Sequence, residues 1–281
     1  MVDKMKNIII VVNYNDFETC LHYINQVKGY KQLDKIIVVD NCSTDDSAKN
    51  LKEIKLDKLD LIVNDKNKGY AYGNNIGIKY AIKNFGKCNL IISNPDIDIT
   101  EKVFDNLISI INKPEIDMLA PIINEHGCLN YGWRLTNSFD EMMISLPGVG
   151  KKYREYFIKN KVKKGTEGLL KSDVLSGCFF LVKSDVMKNI DYFDENTFLY
   201  YEENILATKI KKYEYNAYVS LDNIIYHNHS VSVDKSVNEL NRYKLLKQSQ
   251  KYYLDNYLKS NFIIDVIIRI CNKLMIKHYK K

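Results

Sequence analysis

No CxxC pair occurs among the six cysteines of this 281-residue chain (Cys20, Cys42, Cys88, Cys128, Cys178 and Cys271). The usual spacings of zinc and dithiol sites are therefore missing. Several of these cysteines sit inside apolar runs, where the residue behaves as a small hydrophobe, and a reducing cytoplasm is the expected setting. Internal repeats are also lacking, which excludes a repeat array. Met1 to Asn7 leads straight into Ile8-Ile9-Ile10-Val11-Val12. That run is too short for a signal-peptide core with its cleavage site and reads as a first strand, so no export signal is expected. Basic residues are spread along the chain except for local excesses at Lys151 to Lys164 and after Lys273. A nucleic-acid reader needs a concentrated basic face and a recognisable module; neither is present, and no nucleic-acid partner is expected. After the first strand comes Asn13-Tyr14-Asn15-Asp16 in place of a glycine-rich turn. This disfavours a dinucleotide-binding fold, and no phosphate-loop lysine motif occurs.

What remains is an ordinary globular composition, 46% hydrophobic and 27% charged, long enough for one large domain or a domain with a smaller unit. A net charge of +6 suits anionic ligands such as nucleoside diphosphates, or an anionic lipid surface.

Up to about residue 100, strand-like runs alternate with helical patterns, as in a parallel α/β sheet. The expected strands are Asn7 to Val12, Lys35 to Val39, Leu59 to Val63 and Asn89 to Ser93, each continuously apolar as strands covered on both faces should be. Phe17, Leu21, Ile24 and Val27 recur at helical spacing, so a helix is expected from near Asp16, with Asn15 and Glu18 as a capping pair. Further helices are expected from Ser43 or Thr44, from about Asn74, and after Thr100 with Phe104, Leu107, Ile108 and Ile111 on one face.

From Met118 to Ser172 the pattern weakens. Trp133-Arg134 and a Lys-rich stretch follow a short apolar run, and the region reads as an acceptor-facing loop or, preferably, solvated surface. Strands are expected within Asp173 to Val182 and Ala217 to Ser220, with a helix around Glu203 to Tyr213. The tail from Leu240 has a helical pattern. Asp265, Arg269, Lys273 and Lys277 make one narrow polar stripe on an otherwise apolar helix. A charge in every turn argues against a spanning segment. An in-plane membrane helix, a helix docked on the core and a helix docked on a second subunit all remain open.

Acids and amides cluster where these runs end. Asn13, Asp40 and Asp96 each follow an apolar strand and would line one edge of a parallel sheet, the side on which such sheets bind ligands. Asp96, held after Pro95, can ligate Mg²⁺ or Mn²⁺; Asp98 reads as a ligand or, preferably, a helix cap. Gly69, Gly73 and Gly77 allow close backbone approach, and helix packing explains the last two. The neighbouring Asn67, Asn74 and Asn75 are poor interior residues but good hydrogen-bond partners. Glu202 and Glu203 open a helix, where acids complement the dipole, and the pair can also supply a general base. His227 and His229 are candidate metal ligands.

Taken together, these residues resemble the inverting family 2 glycosyltransferases with the GT-A fold, particularly the bacterial rhamnosyltransferase-like branch. The resemblance covers most of residues 7–232. It rests on Val38 to Asp45, Asn67 to Ala71 with Gly73-Asn74-Asn75, Asn94-Pro95-Asp96, Ser176-Gly177-Cys178, Phe193-Asp194-Glu195 leading to Phe198 to Glu203, and His227 followed by Ser232.

The resemblance implies a mostly parallel Rossmann-like sheet flanked by helices. Residues 1–100 would bind the nucleotide sugar, residues 101–235 the acceptor, and residues 236–281 would be a helical extension. Donor contacts would come from Asn13, Asn15, Asp40, Asn41, Ser43, Asn67, Gly69, Asn74, Asn75, Asn94 and Gly177. Mn²⁺ or Mg²⁺ would sit on Asp96 and His227, with Asn94 in place of the first acid of the family's DxD motif. Glu203 would be the base, preceded by Glu202. The family's Glu-Asp-x-Asp-Leu stands here as Glu202-Glu203-Asn204-Ile205-Leu206, so the second acid is longer by one methylene and the later acid is lost. The implied reaction is sugar transfer from a nucleoside-diphosphate sugar to a saccharide or lipid-linked acceptor, in the cytoplasm or at the inner membrane face, by a monomer or homodimer. A sugar nucleotidyltransferase and a non-catalytic partner of the same fold are the alternatives.

Overall fold

The computed structural model describes residues 5–163, 165–228 and 239–279. Its strands and helices follow in the order β1 (Lys6–Asn13), α1 (Phe17–Val27), β2 (Lys35–Asp40), α2 (Ser47–Glu53), β3 (Leu59–Val63), α3 (Tyr70–Phe85), β4 (Cys88–Ser93), β5 (Ile97–Asp98) and α4 (Glu101–Ile111). They continue with β6 (Met118–Glu125), β7 (Cys128–Asn130), α5 (Ser138–Ser145), α6 (Gly150–Tyr153, running into a π-helical turn at Arg154–Ile158), β8 (Leu169–Lys171), β9 (Phe179–Lys183) and α7 (Ser184–Asn189). The last are α8 (Glu202–Lys212), β10 (Ala217–His227), α9 (Glu239–Tyr253) and α10 (Phe262–Tyr279).

One sheet carries the order β3-β2-β1-β4-β9-β6-β10-β5, with β7 beside β6 and β8 beside β10. β1, β2, β3, β4, β6 and β10 all run one way; β9 and the short β5, β7 and β8 run against them. Alternation along β1 divides the core. Ile9 and Val11 pack with α1 and the Phe104, Leu107, Ile108 and Ile111 face of α4, whereas Ile8 and Ile10 face α3, α7 and α8. Both sides of the sheet are thereby covered by helices.

Several boundaries differ from expectation, each for a local reason. α1 does follow Asp16, but Asn15 has φ 53° and its side chain pairs with Thr44 across the loop instead of capping the helix. α2 waits until Ser47 because Ser43 and Thr44 are held by Asp40 and Asn15. α3 starts at Tyr70, four residues early, so Gly73 and Gly77 lie inside it. A Cβ there would stand 2.9 Å from Val12 Cγ1 and 2.6 Å from Ile10 Cγ2, so the two glycines let α3 lie close on β1. Asp98 lies in β5 and accepts from Gln26 Nε2 (2.6 Å); the cap of α4 is Thr100. Of the run from Asp173 to Val182 only the part from Phe179 is strand, and Gly177 lies in the loop before it.

The tail folds as α9 and α10. Tyr253 packs on Tyr201 and Ile205, while Phe262 and Ile263 are among the most exposed apolar side chains. No helix among the described residues is long and apolar enough to cross a membrane. His229, Ser232 and the boundary at residues 235–236 lie outside the described residues.

Candidate active site

Because the six long parallel strands point the same way, their carboxyl ends deliver side chains to one edge. β1 and β2 end in register, Asn13 opposite Asp40. Asp40 is fully buried, and its carboxylate accepts from Asn13 Nδ2 (2.9 Å), the Ser43 backbone N–H (3.0 Å) and the Ser43 hydroxyl (2.6 Å). Ser43 Oγ in turn accepts from the Asn15 N–H at 2.9 Å. Asp40 therefore shapes the loop that presents Asn13, Asn15 and Ser43. Asn13 Oδ1 is buried with no hydrogen-bond partner, an acceptor left over at the sheet edge.

A second amide chain adjoins this loop. Asn64 Nδ2 donates to Asn41 Oδ1 (2.9 Å), and Asn41 Nδ2 donates to Asn67 Oδ1 (2.9 Å) and the Gly69 carbonyl (3.1 Å). Gly69 has φ 101°, and a Cβ on it would meet the Phe198 carbonyl oxygen at 2.0 Å, so only glycine fits. Asn74 and Asn75 are spent inside the protein: Asn74 bonds the Tyr70 carbonyl, and Asn75 binds both backbone groups of Phe193 and the Glu195 carboxylate. The sequence pattern grouped them with Asn67, but Asn75 faces the turn at Phe193.

Asp96 and His227 are brought together by sheet pairing. β5 lies antiparallel to the end of β10, with Ile97 opposite His227. His227 Nε2 stands 3.2 Å from Asp96 Oδ1, and Nδ1 stands 3.4 Å from Glu125 Oε1 at the end of β6. Burial opposes charge on the imidazole, but hydrogen bonds to Asp96, Cys178 and Glu125 push its pKa up to about 12. Ligand atoms of Glu125, Cys178 and His227 lie within 4.8 Å of one another. Asp96 and Glu125 flank the imidazole on its two different nitrogens, and a carboxylate beside an imidazole fits a divalent cation of the Mn²⁺ or Mg²⁺ kind, which would replace a proton shared there. The thiol is a softer donor that such a cation does not require. Asn94 is tied to the same cluster, its N–H donating to the Cys178 carbonyl at 2.8 Å.

Glu202 and Glu203 open α8 after two consecutive left-handed residues, Tyr200 (φ 75°) and Tyr201 (φ 70°). Such backbone is strained for side-chain-bearing residues and tends to occur where function holds it. Burial and the charge of Glu203 push Glu202 up to about 8, and Glu202 Oε1 is buried with no partner. Burial also raises Glu203, against hydrogen bonds from its own N–H and from the Gly177 N–H. The two acids face different spaces. Both reach a small cavity of about 10 Å³, but only Glu203 also lines a cleft of about 450 Å³. Glu125, Ser176, Trp133, Arg154 and Tyr200 line that cleft as well.

Sequence reasoning missed Glu125, Cys178 as a cluster member, Tyr70 and Glu141. Tyr70 donates its hydroxyl proton to the Gly177 carbonyl (2.6 Å), and buried Glu141 accepts from the Tyr201 hydroxyl (2.5 Å) and from Gln250 Nε2 of α9 (2.8 Å). The irregular stretch read as solvated surface supplies Trp133, Arg154 and Lys159 to the cleft wall.

A covered, mostly parallel sheet with an acid and a histidine set at its carboxyl edge defines a GT-A fold. The chain belongs to glycosyl transferase family 2, which residues 8–191 match. Over 128 residues it is 28% identical to the low-salt glycan biosynthesis hexosyltransferase Agl10 of Haloferax volcanii, covering 45% of this chain and 39% of that one. The chain thus spans well under two thirds of that relative's length. Among solved structures, GalNAc-T7 with UDP, GalNAc and Mn²⁺ superposes with a TM-score of 0.64 at 16% identity, over 92% of this chain and 49% of that one. The mannosyltransferase PcManGT of Pyrobaculum calidifontis, with GDP-Man and Mn²⁺, gives 0.59 at 12% identity over 98% and 73%. Residues 1–349 of S. aureus TarS give 0.56 at 17% over 92% and 74%. At these identities the likeness is one of fold.

Proposed function

We propose that this chain moves a sugar from a nucleoside-diphosphate donor, a UDP-hexose or TDP-rhamnose, to a hydroxyl of a saccharide or lipid-linked acceptor, inverting the anomeric centre. The observation that carries this reading is the placement of Glu203, a half-buried acid of raised pKa, on the wall of a cleft that also reaches Glu125 of the His227 cluster. In this reading Asn13, Asn15, Asp40, Asn41, Ser43, Asn67 and Gly69 form the nucleotide side. Asp96, Glu125 and His227 hold the cation, which supplies positive charge to the departing diphosphate. Glu203 accepts the proton of the attacking hydroxyl as the new bond to the anomeric carbon forms and the bond to the diphosphate oxygen breaks. Gly177, whose carbonyl is held by the Tyr70 hydroxyl, packs against the carboxylate and limits where it can lie. Residues 1–100 then serve the donor, 101–235 the acceptor, and 236–281 brace Tyr201. A role in surface polysaccharide synthesis and peripheral contact with the inner membrane face through Phe262 and Ile263 complete the reading. Loss of liposome binding on removing residues 261–281 tests the membrane contact.

The loop Asn13 to Asp16 carries no Lys or Arg, which disfavours nucleotidyl transfer. Calorimetric titration with UDP, TDP and GDP, in Mn²⁺ and in EDTA, tests the reading. One nucleotide should bind only with metal, and Asp96→Ala should abolish this. Glu203→Gln should bind as before but fail to turn over the donor. Wild-type binding without turnover would point to a non-catalytic partner, and no binding at all would overturn the reading.

A further inference from the structure

We propose that the acceptor is an anionic saccharide whose phosphate or carboxylate group is bound by Arg154 in the cleft beside Glu203. This rests on the transferase reading above and names the substrate class of its second site.

The cleft shares Glu203 and Glu125 with the reaction centre, but Asn13, Asp40, Asn41, Asn67 and Gly69 take no part in its wall. Its volume is therefore left for the acceptor, and about 450 Å³ falls in the range of small-molecule sites. Trp133 and Tyr200 offer aromatic faces, and Leu129 and Leu246 add apolar wall. Such surfaces pack against the C–H faces of sugar rings. Trp133 is held in place by its indole N–H, which donates to Asn204 Oδ1 at 3.0 Å.

Most charged groups in this wall have partners. Glu141 is taken by Tyr201 and Gln250, Glu125 faces His227, and Lys159 pairs with Glu155 at 3.0 Å. Among the described residues Arg154 and Glu203 form no ion pair. Arg154 lines the same cleft as Glu203, Tyr201 and Glu125, at the cleft's reactive end. An arginine with an open fork is suited to bidentate capture of a carboxylate or phosphate. The surrounding sequence has the same sign: Lys151, Lys152, Arg154, Lys159, Lys161 and Lys163 stand against Glu155 alone between residues 150 and 163. A field of that sign raises the local concentration of an anionic substrate.

Trp133 is the chain's single tryptophan, so its fluorescence reports on this cleft. The full chain saturated with UDP and Mn²⁺ is titrated with methyl glucoside, methyl glucuronide and glucose 1-phosphate. At least one anionic sugar should bind about tenfold more tightly than the glucoside, as one charge-assisted pair would give. Arg154→Gln should erase that preference and Arg154→Lys keep part of it, with UDP affinity unchanged in both. A preference for the glucuronide assigns the anion to a uronic acid, and one for the phosphate to a phosphate-linked saccharide. Equal affinities, no saturable response, or a preference that survives Arg154→Gln would overturn the proposal. So would an Arg154→Gln enzyme changed only in the pH profile of donor hydrolysis, since Arg154 would then merely balance Glu203. Failure of UDP to bind would instead count against the transferase reading itself.

Discussion

Glu203 occupies the space that a side chain on Gly177 would need. A Cβ at position 177 would stand 2.7 Å from Glu203 Oε1 and 3.0 Å from its Cγ. Gly177→Ala should therefore displace the proposed base without touching the nucleotide side. We expect kcat to fall on the order of 10²-fold, the cost of an ångström's misplacement, with UDP affinity unchanged by calorimetry. Full activity in this variant would remove Glu203 from the reaction.

Glu202 should make stability fall with rising pH. Its carboxyl titrates at about 8 in the fold against 4.5 ordinarily, so between those values the folded state holds a proton that the unfolded state has released. The stabilisation is complete below the lower value and lost as pH passes the upper one. Glu202→Gln should flatten this decline and raise Tm above pH 8, as thermal melts from pH 4 to 9 will show; an unchanged slope would mean that another group causes it.

At the cation cluster, Asp96→Ala should abolish Mn²⁺-dependent nucleotide binding, and Glu125→Ala and His227→Ala should each weaken it by on the order of 10–100-fold. Cys178→Ser should do little, because the thiol is not a donor that Mn²⁺ needs. Electron paramagnetic resonance of bound Mn²⁺ separates the four variants. A Cys178→Ser loss as large as that of Asp96→Ala would assign the site to a softer metal.

Gly69→Ala should destabilise the whole protein. Its φ of 101° is strained for alanine, and the added Cβ would meet Phe198 backbone at 2.0 Å, so one of two loops must move. A loss of roughly 2–4 kcal/mol in chemical unfolding is expected. Near wild-type stability would show that the contact between the Asn67 and Phe198 loops yields readily.

Gln250 ties the tail to the site. Gln250→Leu removes the bond from Nε2 to the Glu141 carboxylate and leaves a buried acceptor short of a donor, at a cost of about 1–3 kcal/mol. Since Glu141 also holds Tyr201, turnover should drop along with stability. Gln250→Glu, which sets a second acid against Glu141, should be worse than Gln250→Leu at neutral pH in the same assays.

Much of this architecture was legible because it is local. Continuous apolar runs marked β1 to β4, and the ends of β1 and β2 put Asn13 beside Asp40 once the sheet was taken as parallel. Phe104, Leu107, Ile108 and Ile111 gave the buried face of α4. The missed parts depend on distant partners. Glu125 joins His227 only because β6 and β10 lie side by side, and Cys178 arrives through the loop before the reversed strand β9. Asn75 reads as a loop amide until Phe193, far along the chain, supplies its partners. Trp133 and Arg154 lie in a stretch without periodicity, and nothing in their local sequence separates a cleft wall from open surface.

The two-residue strand β5 has a kinetic meaning. Among the described residues it pairs only with the far end of β10, so Asp96 can gain His227 only once the two distant segments have met. Contacts so remote in sequence close slowly, because the loop entropy is spent before they stabilise anything. During refolding, protection of the backbone amides of β1, β2 and β4 from hydrogen exchange should precede that of Tyr226 and His227. Competence to hold a cation should emerge last.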